Sequence, residues 1–278
     1  MSNQDPIVGI ITDFGEKGAH YVASMKGVML SLSKEIKIID ISHDITPFSI
    51  LETSYFIFTT YKYFPPKSAF LIVVDPGVGS SRKILALETD SMHYFVGPDN
   101  GIFTHLLSSN VIRTAVSVEN KEYFRDKVSQ TFHGRDIMAP VSAYLASGIE
   151  LDQLGPEIPL KDLHQLSIIS HYRQKSRQIE GMIQHIDSFG TATTNIKMDD
   201  EFKIENTSIQ IKPSSEITLI YENKEYSANF SSHFSEVDLG ELLFLQGSYG
   251  YLEIAKNQGN AAAEIGLSVG DHIILDLK

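Results

Sequence analysis

Ala69-Phe70-Leu71-Ile72-Val73-Val74 runs without a break into Asp75-Pro76-Gly77-Val78-Gly79-Ser80-Ser81-Arg82. Six consecutive apolar residues, rich in β-branched side chains, mark a strand covered on both faces. The Asp-Pro-Gly that follows is a sharp turn. The same grammar repeats on the N-terminal side. Val8 to Ile11 reads as a buried strand ending at Thr12-Asp13-Phe14-Gly15. Val22, Met25, Met29 and Leu32 then recur at helical spacing, and Ile36 to Ile41 reads as a second strand. Ile50 to Tyr61 reads as a helix, halted ahead of Pro65 and Pro66. Beyond the opening stretch come short strands near Ile84 to Leu87 and Tyr94 to Val96, and a helix over Ile137 to Ala146. Alternating strands and helices predict an α/β domain with a central, mostly parallel sheet flanked by helices. Ligands of such sheets bind at the carboxyl ends of the strands. Asp13 and Asp75 both stand at such ends.

Past a polar stretch, His171 to Glu180, that reads as a linker, the pattern changes. Ser208 to Ile211, Glu216 to Tyr221 and Leu242 to Gln246 are short runs separated by turn residues, which predicts a β-rich region. We therefore expect an N-terminal domain over residues 1–172 and a smaller C-terminal one over 173–278. No internal repeat or low-complexity segment is visible.

Composition narrows the function classes. The 278 residues contain no cysteine, which rules out disulfides, thiolate metal sites and a cysteine nucleophile and fits a reducing cytoplasm. A net charge of −12 argues against general nucleic-acid binding, which needs clustered Lys and Arg. It suits solubility and favours a cationic ligand. No apolar run reaches the ~18–20 residues of a membrane span. Met1 to Pro6 is polar, unlike the start of a signal peptide.

Several motifs are present only in part. Asp13-Phe14-Gly15 and His133-Gly134-Arg135-Asp136 share residues with kinase signatures, but in reversed order and without the accompanying Gly-rich loop and lysine. There is no G-x-G-x-x-G, and the loop after Asp75 lacks the Gly-Lys-Ser/Thr of a phosphate-binding loop. On its own that loop reads equally as a tight turn capped by an aspartate. Gly97-Pro98-Asp99-Asn100-Gly101 is a dense turn cluster. None of the ten histidines forms H-E-x-x-H or another tight ligand pair. His43, in Asp40-Ile41-Ser42-His43-Asp44, is suggestive but unspecific. We expect no metal.

Taken in order, the motifs resemble one family, the S-adenosylmethionine hydroxide adenosyltransferases, which are related to fluorinating and chlorinating enzymes. The matching segments are Ile11 to Gly15, Tyr21-Val22 through Lys26-Gly27, Val74 to Ser80 with Arg82, Val96 to Gly101, and Thr131 to Asp136 with Ala139-Pro140. Later matches are Asp187-Ser188-Phe189-Gly190, Thr194-Asn195-Ile196, Ser248 to Glu253, and Gly259-Asn260-Ala261-Ala262. Each motif is weak alone; the ordered set, spanning nearly the whole chain, is specific.

The resemblance implies hydrolysis of S-adenosyl-L-methionine at the ribose C5′, giving adenosine and L-methionine, with no cofactor. It implies a small C-terminal β-barrel-like domain and a homotrimer whose active sites lie between subunits. Asp75, Arg82 and His133 match the family's catalytic Asp-Arg-His set; a plain loop ion pair between Asp75 and Arg82 is the alternative. Arg82 would stabilise hydroxide character on the attacking water, while His133 and Asp75 orient it and take its proton. Asp13 matches the carboxylate that holds both ribose hydroxyls, and could also cap a helix. Phe48, Phe189 and Phe234 match aromatic walls of the adenosine site. Asp187, Ser248 and Tyr249 match positions near the methionine end.

Two departures stand out. Thr191 occupies the place of an asparagine whose amide reads adenine, and a hydroxyl cannot offer the same paired donor and acceptor. Gly18-Ala19-His20-Tyr21 replaces a stretch that often carries an aspartate for the substrate ammonium. These motivate one rival reading, a non-catalytic adenosine or S-adenosylmethionine binding protein. The other rival is a halogenase of the same family. There a tyrosine replaces Asp75 and the His133 equivalent is missing, and a carboxylate would repel a bare halide.

Overall fold

The computed structural model describes residues 5–168 and 170–277. The first four residues of the stretch read for a leader lie outside them. The chain divides into two compact units, Met1–Leu166 and Ser167–Lys278.

The first unit is built on a six-stranded sheet. Its strands are β1 (Ile7–Thr12), β2 (Lys37–Ser42), β3 (Ala69–Val73), β4 (Ile84–Thr89), β5 (Tyr94–Pro98) and β6 (Ile112–Ser117), in the order β2-β1-β3-β5-β4-β6. The pairs β1–β2, β1–β3 and β3–β5 are parallel, and β4 runs antiparallel to both its neighbours. The helices are α1 (Ala19–Leu32), α2 (Ile50–Thr60), α3 (Thr104–Ser108) and α4 (Ala139–Ala146).

The unbroken apolar run of β3 has a direct cause. Leu71 and Val73 pack with Met25 and Met29 of α1 and Val141 of α4, whereas Phe70, Ile72 and Val74 pack with Ile57 of α2 and Leu106 of α3. Both faces are buried, so no position of β3 can be polar. Leu32, by contrast, is 42% exposed although it falls on the helical spacing of Val22, Met25 and Met29.

Chain reversal places the site. From β1 the chain passes through α1, on one face, to β2. It then returns through α2, on the other face, to β3 on the far side of β1. The carboxyl ends of β1 and β3 therefore flank a topological switch point, where open α/β sheets bind ligands. Thr12 and Val73 are paired in register there.

The second unit is antiparallel. It comprises β7 (His171–Arg173), β8 (Gln178–Ile186), β9 (Ala192–Lys197), β10 (Glu216–Tyr221), β11 (Lys224–Asn229), β12 (Leu242–Gln246), β13 (Tyr251–Lys256) and β14 (His272–Leu277), with the short helix α5 (Ala261–Ile265). The order β11-β10-β14-β8-β9-β13-β12 is nearly closed by a bridge between Phe230 and Phe244. Strand β8 serves both halves, pairing with β14 up to Met182 and with β9 from Ile183. The core inside holds Ile179, Ile196, Leu219, Phe244, Leu252 and Leu275.

Two sequence expectations need correction. The stretch His171 to Glu180 is not a linker: it forms β7 and the start of β8, which pair antiparallel, with Arg173 and Glu180 in an ion pair across them. Ser208 to Ile211 does not form a strand; it contributes one isolated bridge, Lys203 with Gln210.

Candidate active site

The first unit carries a cleft of about 610 Å3 lined by Asp13, Phe48, Asp75 and His133, with Phe14, Tyr21, Phe132 and Arg135 among the other walls. That is an ordinary size for a small-molecule site. Asp13 follows β1 and Asp75 follows β3 by one residue, so adjacent parallel strands deliver both carboxylates.

Asp13 does not cap a helix. The turn at Glu16–Gly18 and helix α1 both start without a side-chain cap, and Asp13 Oδ2 instead accepts the Phe48 backbone N–H at 2.9 Å. Phe48 adopts φ 65 and is 68% exposed. A left-handed phenylalanine is strained. Here the strain holds its amide on Asp13 and its ring at the cleft mouth. The following helix is secured independently, since Ser49 caps α2 by accepting the Glu52 N–H.

Asp75 and Arg82 form an ion pair that also reaches His133. Arg82 Nε donates to Asp75 Oδ1 at 2.8 Å, and Arg82 Nη2 donates to Asp75 Oδ2 and reaches His133 Nδ1 at 3.1 Å. Both side chains are buried, at 9% and 6% exposure. A guanidinium only donates, so His133 Nδ1 must be the accepting nitrogen. The neutral ring then keeps its proton on Nε2. Burial pushes the His133 pKa below its ordinary value, and the Arg82 charge adds to this, while Asp75 and Asp136 partly oppose it. His133 is therefore a neutral donor at pH 7. Arg82 does not line the cleft; it touches the two residues that do.

His133 opens a π-helical segment, Gly134–Met138, that leads into α4. Such segments are rare and collect at functional sites. A Cβ on Gly134 would come within 2.7 Å of Val73 Cγ1. Glycine is thus what lets the His133 turn sit on the end of β3.

The remaining predicted residues belong to the second unit. Asp187 to Thr191 form the β8–β9 turn, in which Asp187 Oδ1 accepts the N–H groups of Phe189 and Thr191 at 3.0 and 2.9 Å. Phe189, at the tip, is 78% exposed. Gly190 takes φ +84, and a Cβ there would lie 2.0 Å from Asn260 Oδ1, the atom that caps α5. Ser248 and Tyr249 occupy the β12–β13 turn, closed by Gly247 N–H to Tyr251 O at 2.8 Å. Phe234 lies in a separate short turn, Phe234–Glu236, and is 41% exposed. So the structure gathers Asp187, Phe189 and Thr191 in one turn, Ser248 and Tyr249 in another, and Phe234 in a third.

Residue-level reading of the sequence gave no role to Phe14, Tyr21, Phe132 or Arg135. Their rings form one wall: Phe14–Tyr21 and Tyr21–Phe132 centroids are 5.3 and 5.2 Å apart, and Arg135 stands 5.0 Å over Phe132. Each sat inside a quoted motif, but single aromatics look like core residues until packed. Among the described residues, no group of three or more His, Asp or Glu side chains could hold a metal ion.

Family models of the SAM hydroxide adenosyltransferase N-terminal and C-terminal domains match residues 8–155 and 181–274. The chain belongs to this family. Among hydroxide adenosyltransferase relatives, an (R)-S-adenosyl-L-methionine hydrolase of Methanocaldococcus jannaschii is 36% identical, over 96% of this chain and 94% of its own. A fluorinase of Nocardia brasiliensis matches over 95% of both chains at 24% identity. A crystal structure of an uncharacterized conserved protein from Thermotoga maritima superposes with a TM-score of 0.87 at 34% identity. It covers 97% of this chain and 99% of that one. The hydroxide adenosyltransferase match thus spans both units.

Proposed function

We propose that this protein hydrolyses S-adenosyl-L-methionine at the ribose C5′, giving adenosine and L-methionine. The observation that carries this is the buried Asp75–Arg82–His133 chain opening onto the same cleft as Asp13. The names of its relatives point the same way.

The leaving group is a neutral thioether, so the reaction needs no general acid and no cofactor. The task is to hold water in line with the C–S bond, which supplies much of the acceleration. The water oxygen bonds to C5′ as the C5′–S pair leaves on sulfur, and the new oxonium gives up one proton. Asp75 is the acceptor within the cleft. His133, with its proton on Nε2, orients the water. Arg82 fixes both partners and keeps a positive charge behind them. Asp13 grips the ribose diol and Phe48 flanks the adenosine. Phe189, Phe234, Thr191, Asp187, Ser248 and Tyr249 complete the site from the C-terminal domain of a neighbouring subunit in a homotrimer. The exposure of Phe189, Phe234 and Tyr249 supports that last reading, as does the family resemblance. Light scattering checks it, with a trimer mass as the expected result. A cysteine-free chain suits a cytoplasmic enzyme. Among the described residues no helix is long and apolar enough to cross a membrane.

Product analysis in 18O-labelled water is the decisive experiment. Label is expected on adenosine at C5′. Binding without release of adenosine and methionine overturns the proposal in favour of a binding protein. Formation of 5′-chloro-5′-deoxyadenosine in chloride would make it a halogenase instead, against the carboxylate at position 75.

The depressed His133 pKa fixes a second outcome. Protonating Nδ1 would oppose the Arg82 donor, so activity depends on the neutral ring. With the pKa below 6.5, the acid limb of kcat should be centred below that value. An acid limb centred at or above that value contradicts the assignment.

A further inference from the structure

The Asp13 turn rests on a second chain of polar groups that the proposed chemistry leaves unused. Thr12 is fully buried, and its Oγ1 lies 3.0 Å from His43 Nδ1. His43 Nε2 lies 3.0 Å from Asp40 Oδ1, and Lys26 Nζ lies 2.5 Å from Asp40 Oδ2. His43 also accepts the Gly15 N–H on its backbone oxygen at 2.7 Å. Phe14 N–H approaches Thr12 Oγ1 at 3.4 Å. Asp13 is thus bracketed: the residue before it and the two after it are all tied to His43 or to its partner Thr12.

The polarity of the chain follows from its ends. Lys26 can only donate, which holds Asp40 as an acceptor. Burial works against the Asp40 charge, but Lys26 and His43 together bring its pKa below the ordinary value. The Asp40 carboxylate stands at ion-pair distance from His43 Nε2, without the alignment of a hydrogen bond. Thr12 Oγ1 accepts from the Phe14 N–H, and its hydroxyl proton is available to His43 Nδ1. The Thr12–His43 side-chain contact and the Gly15 N–H bond to the His43 backbone oxygen together hold the backbone on both sides of Asp13.

We propose that His43 is a positioning residue which, through Thr12, aims the Asp13 carboxylate at a vicinal diol of the ligand. This deepens the functional reading above and rests on it. His43 lies in the segment between β2 and α2, whereas Asp13 follows β1, so the chain couples two loops of the site.

The test compares two nucleosides by calorimetry on the full-length protein. Adenosine carries the diol and 2′,3′-dideoxyadenosine lacks it. Losing one net hydrogen bond of aim is expected to weaken adenosine binding about fivefold to tenfold in His43→Ala. The affinity of both proteins for the dideoxy compound should be the same. Thr12→Val should show the same selective loss, and the double variant no further loss, because both break one path. Equal weakening for both nucleosides, or no weakening for adenosine, overturns the inference. So does full additivity of the two substitutions. If His43→Ala does not fold, Thr12→Val alone decides by the same comparison. Wild-type protein that binds adenosine no better than the dideoxy compound would instead defeat the assignment of Asp13, and the inference with it.

Discussion

Arg82→Met should lower kcat by about three orders of magnitude while changing KM by less than about tenfold. Arg82 does not line the cleft, so little substrate affinity is lost directly. What disappears is the template. Asp75 loses both guanidinium donors, and His133 loses the contact that fixes its tautomer. The variant also strands Asp75 as a buried, unpaired carboxylate, a defect that costs about 3–5 kcal/mol of stability. Activity and unfolding must therefore be measured on the same preparation. Arg82→Lys separates the two effects. It keeps the charge but not the fork, so its unfolding midpoint should recover much of the loss while kcat remains low. Wild-type kcat in Arg82→Lys would show that charge alone suffices and that the fork has no catalytic part.

A second large effect on stability is expected at Asp136. This carboxylate is fully buried and accepts from Arg135 Nε at 2.7 Å, Arg135 Nη2 at 2.9 Å, Arg125 Nη1 at 3.1 Å and Ser129 N–H at 2.9 Å. It ties the loop before His133 to the π-helical turn after it. Asp136→Ala leaves two arginines and an amide without their acceptor, but both arginines keep access to solvent, for a loss of about 2–4 kcal/mol. That corresponds to a drop of roughly 5–15 °C in Tm for a chain this size. The same group sets an acid limit. Burial raises the Asp136 pKa, but the arginines and the Ser129 amide outweigh it and hold it below 3.8. A depressed carboxyl stabilises the fold above its unfolded pKa and loses that contribution as pH falls through its folded one. Wild-type stability should thus fall away as pH drops below 3.8. Asp136→Asn, less stable at neutral pH, should show a flatter acid limb. Denaturant titrations at several pH values measure both.

The sequence carried the first unit's architecture because its core strands bury both faces, and such strands announce themselves by composition. Residues Ala69 to Val74 could be little else. Asp13 and Asp75 were legible for the same reason, as charged residues directly after apolar runs. The second unit was harder. Its strands alternate weakly, β8 is polar at both ends, and its pairing partners lie far away in sequence, so His171 to Glu180 looked like a linker. Arg82 and His133 carried no local signal at all. Their tie to Asp75 spans a loop and a crossover, and only the ordered motif set suggested it. Asp13 as a helix cap failed because the acceptor was claimed by Phe48, from a turn that no local pattern connects to β1.

The pairing of Thr12 with Val73 has a consequence for how such a protein can change its chemistry. Asp13 comes directly after that pair and Asp75 one residue later, beyond its own strand, so both hang from one backbone ladder, whose pitch of about 4.8 Å is a property of peptide groups and not of side chains. In the proposed function, the carboxylate that grips the ligand and the one that serves the attacking water therefore share a ruler that mutation cannot lengthen. New reactions on this template must come from exchanging the group at position 75 and its supports, with the hold on the ligand inherited unchanged.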